Sequence, residues 1–538
     1  MTMKLSMLWI AILSIVTVTA QNLPQDYLSS EFHKDRREKV RELMSRNSVL
    51  VFFANAERNR ANDVDYIYHQ DPNFYYLTGY KEPNAVLLIF SDMQTDAAGH
   101  EYNEMIYVQE RNAKEEQWTG KRLGVEGVRE QLGFDKVFNG SDFANVPIDF
   151  KSFNTVSFFD FENDYRDKRG EADLFDLIKT FKLKANYPSD YDPMKQNLYA
   201  MIQSVTPENA ENVVKSVRRY LDFYENLKGD EFLTDFVNAT DESKRLEVKE
   251  KVNLVLASNN LDSRMISEIM ATLRETKTPE EMKLLKKAIE ISAVGQIEVM
   301  KAMHPNMSET EIQGVHEYVY KKYGAEYEGY PSIVGGGNNG CILHYIENNK
   351  MEVGNDLILM DLGAEYHGYT ADVTRTIPAN GKFTLEQKTI YDIVYEAQEA
   401  GIKASVVGAE FQAPGKAALK VVEDGLITLG IIEEASEART YFPHGTSHYL
   451  GLDVHDQGTY RPFQANTVIT VEPGIYIPEG SDCDEKWWGI AVRIEDDILI
   501  TDEGPINLSA MAPRTTEAIE GMMKQPSPLD DFQLPKLD

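Results

Sequence analysis

The sequence predicts an α+β protein of two or more domains, with helices packed on a largely antiparallel sheet. Three observations lead there. In the second half, helix-start signatures alternate with pairs of strand-like runs. In the first half, short β-branched or aromatic runs bounded by polar turns mix with helical stretches. At 538 residues the chain is too long for one ordinary core.

Taken in order, the first 20 residues stand apart. Lys4 gives a weakly positive start, and Leu5 to Val18 is apolar except for Ser6, Ser14 and Thr17. Val18-Thr19-Ala20 then offers small residues ahead of Gln21. This pattern reads as a cleavable secretory signal. The run is short for a membrane span, which needs about 20 apolar residues. The expectation is an exported, periplasmic or secreted protein with no stable membrane insertion after cleavage.

Residues 21–270 are expected to form the N-terminal domain. "SVLVFFAN", "AVLLIF" and "EMIYVQE" read as strands, and "KRLEVKEKVNLVLASNN" as an amphipathic helix. Residues 190–260 form an extra helical segment with no evident role. A boundary falls near Arg274 to Thr278. There Thr278, Pro279 and Glu281 make a capping box with proline at the first helical position. Ser308 with Glu311 opens the next helix, which Gly324 ends. Thr384 with Gln387 opens another, which Gly401 ends. The second domain is expected over 275–515. The tail, 516–538, is rich in Pro, Asp and Lys and is expected to be disordered.

Composition narrows the partners. Hydrophobic content of 42% and aromatic content of 10% fit a well-packed globular protein. A net charge of −32 disfavours nucleic acid and anionic membrane, both polyanions. Cys341 and Cys483 are the only cysteines, too few for a disulfide framework. "GGGNNG" at 335–340 lacks a phosphate-loop lysine and reads as a turn before a strand.

The chemistry lies in the last third. Asp361, Asp372, His448, Glu472 and Glu495 each sit in a short apolar stretch. A carboxylate among Leu, Ile and Val is costly to bury unless it is paired or bound to metal. Four carboxylates and one imidazole make an oxygen-rich donor set suited to Mn(II), Co(II) or Zn(II), and the charge matches two divalent ions. If "LILMDLGAEYHGYTADVTRTI" folds as a hairpin centred on Tyr366-His367, Asp361 and Asp372 face one another, with β-carbons about 4.5–5.5 Å apart. Such a pair repels unless a cation lies between. Taken alone, ordinary salt-bridged aspartates explain it as well. His444, His448 and His455 place three of ten histidines within twelve residues. Core or surface histidines are the alternative, as for His33, His69, His100 and His316, but clustering beside glycines points away from it here. Period-2 alternation puts Arg493, Glu495 and Asp497 on one strand face and Val492, Ile494 and Asp496 on the other. The set predicts a two-metal hydrolase, in which a hydroxide bridging two cations attacks, a carboxylate shuttles the proton and histidines donate to the oxyanion.

"MDLGAEYHGYTADVTRT", "HGTSHYLGLDVHD", "VEPGIYI" and "VRIEDD" closely resemble the signature segments of the Xaa-Pro aminopeptidases (aminopeptidase P), metallopeptidases related to prolidase and methionine aminopeptidase. "IVGGGNNGCILHY" and "DPNFYYLTGYKEPNAVL" extend the resemblance over most of the chain. It implies a C-terminal pita-bread fold preceded by a smaller α/β domain. Asp361 would bind one metal, Asp372 and Glu495 would bridge both, and His448 and Glu472 would complete the second. Glu472 would also shuttle the proton. His344, His444 and His455 would surround the substrate, with Arg493 and Tyr476 as supporting or substrate contacts. The resemblance further implies Mn(II), release of the N-terminal residue ahead of proline, and a homodimer or homotetramer. Some members carry Trp where Tyr75 stands in Phe74-Tyr75-Tyr76. The alternatives are a prolidase restricted to Xaa-Pro dipeptides and a non-catalytic peptide-binding protein on the same fold.

Overall fold

The computed structural model describes residues 24, 26–161 and 173–531. The expected signal at 1–20 and the last residues of the tail lie outside them.

The N-terminal half is built on a six-stranded mixed sheet. Its strand Ser48–Phe53 pairs antiparallel with Val86–Thr95 and parallel with Thr155–Phe158. The run "SVLVFF" is apolar throughout because both faces are covered. Leu50 and Phe52 enter one core, while Val49 and Val51 enter another. The helices Pro193–Gln203, Ala210–Phe223, Glu231–Asn238 and Glu242–Leu256 bury an apolar core of their own around Leu198, Val217, Leu233 and Val252. Asp192, Asp230 and Asp241 cap three of them by accepting backbone N–H groups.

Thr278 and Glu281 form the capping box of the helix Pro279–Ala302. The seam between the halves is packed: Phe74 and Tyr76 share one core with Leu285, Ile289 and Met360. It also carries buried charge. Arg274 donates to Asn73 Oδ1 at 2.8 Å and pairs with Asp456, which also accepts from Lys277 at 3.1 Å.

The C-terminal half consists of small antiparallel sheets. The helices Pro279–Ala302, Glu309–Lys322, Leu385–Ala404 and Ala413–Leu429 pack around them. The strand Leu357–Leu362 pairs with Val373–Pro378 in a register that differs from the sequence expectation. Asp361 lies opposite Thr374, not Asp372. The turn is His367-Gly368, with φ of +52° and +89°. A two-residue hairpin turn of this kind needs positive φ at both positions, which centres it on the glycine. Asp372 is therefore the diagonal neighbour of Asp361 on the same face. The strands bend between them at Gly363, where a Cβ would meet Ala371 O at 1.9 Å.

Two further expectations are corrected. The helix opened by Thr384 runs to Ala404, beyond Gly401. Gly401 serves close packing instead, since a Cβ there would press on Val471 at 2.8 Å. The tail is not disordered from residue 516. Thr516–Met522 is a helix capped by Thr515, with Ile519 buried in the main core and Glu520 paired with Lys382. Polar composition hid one apolar anchor per turn. Cys341 and Cys483 are both free thiols. Among the described residues no helix is long and apolar enough to cross a membrane.

Candidate active site

The hairpin delivers two carboxylates to one face. Helix Pro279–Ala302 fixes it from behind. The Gln296 amide donates to Met360 O at 3.1 Å and Val373 O at 2.7 Å, the carbonyls beside Asp361 and Asp372. In front, the Tyr330 hydroxyl lies 2.5 Å from both aspartates. Glu495 arrives where Ile490–Arg493 gives way to Asp496–Thr501. Thr374 Oγ1 donates to Glu495 Oε2 at 2.6 Å, and Glu495 N donates to Thr374 O.

The segment 446–449 lies along the strand Val468–Val471 through Glu472 N to Thr446 O and Thr470 N to His448 O. His448 Nδ1 is 3.0 Å from Tyr449 O, which turns Nε2 inward. Nε2 then stands 3.4 Å from Asp372 Oδ2 and 3.8 Å from Glu472 Oε1. This is the orientation of a metal-binding imidazole whose second nitrogen is held by a carbonyl.

Arg493 supports the other side. It donates to Asp361 Oδ2 at 2.6 Å and to the Tyr476 hydroxyl at 2.8 Å. Tyr476 in turn lies 2.7 Å from His444 Nε2, and His444 Nδ1 lies 2.6 Å from Gly445 O. A carbonyl only accepts, so Nδ1 carries the proton and Nε2 accepts from Tyr476. Both His444 nitrogens are thus engaged. Among the described residues, neither His344 nor His455 forms a hydrogen bond through its ring.

Asp361, Asp372, His448, Glu472, Glu495, Arg493, His344, His444 and His455 all line one cavity of about 620 Å³. Tyr476 is buried behind it. Pro331, Ile333, Leu343, Ile346 and Val454 supply its apolar wall. Phe74, Tyr75 and Tyr76 are buried within their own chain.

The electrostatics suit a cation. Asp372, His448 and Glu495 offer ligand atoms within 4.8 Å of one another. Asp361 and Glu472 stand beside that group, joined to it through Tyr330 and His448. Burial, then the neighbouring carboxylates, push Glu495 well above the ordinary carboxylate range. Burial lifts Glu472 to about 7, against the pull of His448 and Arg493. Asp372 is raised by burial and by Asp361. For Asp361 burial also works upward, but Arg493 and Tyr330 outweigh it and hold the group low. His448 is raised to about 9, because Asp372 and Glu472 overcome its burial. Crowded carboxylates that resist ionisation are stabilised as anions by a divalent ion, so the residues present fit a metal centre.

Sequence reasoning missed Tyr330, Thr374 and Gln296, and placed Asp497 on the Glu495 face without giving it a contact. Thr374 was findable, being two residues beyond Asp372 and so on the same strand face. Tyr330 and Gln296 reach the site from elements remote in sequence, with no local signal. Asp497 is fully buried and accepts from Asp372 N at 3.2 Å.

Comparison with known proteins gives a consistent result. The model of metallopeptidase family M24 matches residues 283–502, and that of the aminopeptidase P N-terminal domain matches residues 33–152. The Xaa-Pro aminopeptidase of Haemophilus influenzae is 32% identical over 509 residues, covering 92% of this chain and 98% of its own length. That of Escherichia coli is 31% identical over 508 residues, with the same coverage. The solved structure of E. coli aminopeptidase P with the inhibitor Pro-Leu superposes with a TM-score of 0.71 at 30% identity, covering 92% of this chain and 98% of that one.

Proposed function

The chain belongs to metallopeptidase family M24, with the aminopeptidase P fold and a metal-dependent aminopeptidase activity, and from that premise we propose that it releases the N-terminal residue of peptides with proline in second position. The observation that carries this reading is the single cavity that gathers the five candidate ligands, three histidines and an apolar wall.

Asp361, Asp372, His448, Glu472 and Glu495 would hold two divalent cations, and the oxygen-rich set favours Mn(II). When bound, the ions supply an activated water and a Lewis acid for the scissile carbonyl. The protein's own groups do the rest. Glu472 lies at the cavity wall, where its carboxylate can take the water's proton and return it to the leaving nitrogen. His344 and His455 face the cavity with ring nitrogens free to donate to the developing oxyanion. Arg493 and Tyr476 hold Asp361 and His444 in place. The bond before proline is a tertiary amide without N–H. A site for it must grip the ring by shape, and Ile333, Leu343, Ile346 and Val454 provide apolar surface for that.

The test is to follow free alanine from Ala-Pro and Ala-Pro-Ala with the Mn(II)-loaded mature chain, before and after chelation. Cleavage of the tripeptide, abolished by chelator and restored by Mn(II), is expected. Cleavage of the dipeptide alone would make the enzyme a prolidase, and chelator-resistant turnover would exclude the metal mechanism. Export and self-association belong to the same reading. The former rests on residues 1–20 and is checked by the N-terminus of the cellular protein. The latter rests on the family resemblance and is checked by the mass in solution.

A further inference from the structure

His344 rides on a segment without strand partners of its own. The chain leaves the strand Ile333–Gly336, passes the short 3-10 turn Gly337–Cys341 and returns at the strand Leu357–Leu362. Along it Leu343, His344 and Ile346 line the cavity. Ile342 and Ile346 are more than half exposed, at 54% and 53%. Tyr345 and Val353 are its buried apolar anchors, and an irregular segment with few such anchors opens readily unless polar ties also hold it.

Glu309 ties it down. It is the first residue of the helix Glu309–Lys322 and is fully buried. Its Oε1 accepts from Gly336 N at 2.8 Å and Asn339 Nδ2 at 3.0 Å. Its Oε2 accepts from the Tyr345 hydroxyl and Lys350 N, both at 2.9 Å. Glu309 N also donates to Lys350 O at 3.0 Å. One carboxylate therefore clasps both stems of the segment and the residue adjoining His344. The helix N-terminus favours its negative charge, and charge-assisted hydrogen bonds supply the rest. Asn348 adds a second tie through Val334 N and Ser332 O.

We propose that Glu309 is a positioning residue for the aminopeptidase reaction, holding His344 in register with the carboxylate centre. This rests on the reading of His344 as a substrate-facing group. Glutamine at 309 keeps the shape but replaces one acceptor oxygen with an NH2 group. Loop donors on that side would then face a donor.

The experiment is a mutant cycle on the metal-loaded enzyme with Ala-Pro-Ala, reading kcat, KM and Tm for Glu309→Gln, Tyr345→Phe, His344→Ala and the doubles with His344→Ala. Glu309→Gln should lower kcat/KM roughly 10- to 100-fold, and Tyr345→Phe by about threefold. Each double variant should stay within about twofold of His344→Ala alone, because the loss passes through that side chain. Full multiplication of the two effects would overturn the proposal. So would a Glu309→Gln enzyme with lowered Tm but wild-type kcat and KM. Wild-type activity in His344→Ala would overturn it through its premise, and that single variant separates the two failures. If Glu309→Gln does not fold, the Tyr345→Phe cycle decides by the same criterion.

Discussion

Glu495 and Asp496 are consecutive buried carboxylates in opposite settings. Asp496 accepts from Arg375 Nη2 at 2.7 Å, Ser509 Oγ at 2.5 Å and Gln398 Nε2 at 2.9 Å, with Arg514 at 3.4 Å. Its charge is balanced and its lone pairs are used. Glu495 has one side-chain donor, Thr374, and faces Asp372, Glu472 and Asp361, a crowding that Arg493 only partly offsets. Strand alternation sends one to each side of the same backbone. The difference separates buried charge that holds a fold together from buried charge held short of partners so that it can bind something else.

Exchanging charge for amide on the two sides should break the comparison in opposite ways. The largest effect is expected for Glu495→Gln. If Glu495 is the shared metal ligand proposed, its loss should cut kcat/KM at least about a thousandfold, since several kcal/mol of transition-state stabilisation depends on the metal. The metal-free protein should melt at the same temperature or higher, because a buried acid crowded by carboxylates gives way to a neutral amide of the same shape. Activity within tenfold of wild type would remove Glu495 from the metal centre.

Asp496→Asn is the mirror case. It leaves Arg375 buried without its counter-charge and should destabilise the fold by about 3–5 kcal/mol. Chemical denaturation measures this directly. Turnover of the folded fraction should fall far less than in Glu495→Gln. An unchanged denaturation midpoint would mean that the Arg375 cluster is satisfied by other means, and the contrast between the two carboxylates would fail.

Much of this contrast was readable in the sequence, and the limits of that reading are physical. Period-2 alternation placed Arg493, Glu495 and Asp497 on one face, and the structure turns all three toward the carboxylate centre while Asp496 points away. The capping boxes at Thr278 and Thr384 were legible because they are local. The hairpin register was not, because it turns on which residue of His367-Gly368 tolerates positive φ. Gln296, Tyr330 and Glu309 were invisible because the partners that reveal them lie 27 to 77 residues away, as in Glu309 with Gly336 and Gln296 with Val373. A residue type alone cannot announce such a partner. The helical segment 193–256 was legible as helices, yet its role in burying its own core required the packing.

A smaller effect sharpens the comparison from a third side, where a buried group avoids the problem by giving up its charge. His33 is buried in the helix Ser30–Leu43, with Nδ1 2.9 Å from Tyr76 O. Burial pushes it down to about 4, partly opposed by that hydrogen bond and aided by Arg37 and Lys81. An unfolded histidine titrates near 6.5, so the unfolded chain takes up a proton that the folded chain refuses. The stability gained from the neutral ring is fully present above about pH 6.5 and is lost as pH falls toward 4, by on the order of 3 kcal/mol. His316, pushed down to about 3 by burial, titrates in an overlapping range, so only a difference isolates His33. His33→Gln keeps a donor for the Tyr76 carbonyl and cannot titrate. Urea denaturation at pH 7 and pH 4.5 should show wild type losing more stability than the variant. Parallel losses would mean that His33 accepts its proton inside the fold, and that a buried cation there finds a partner after all.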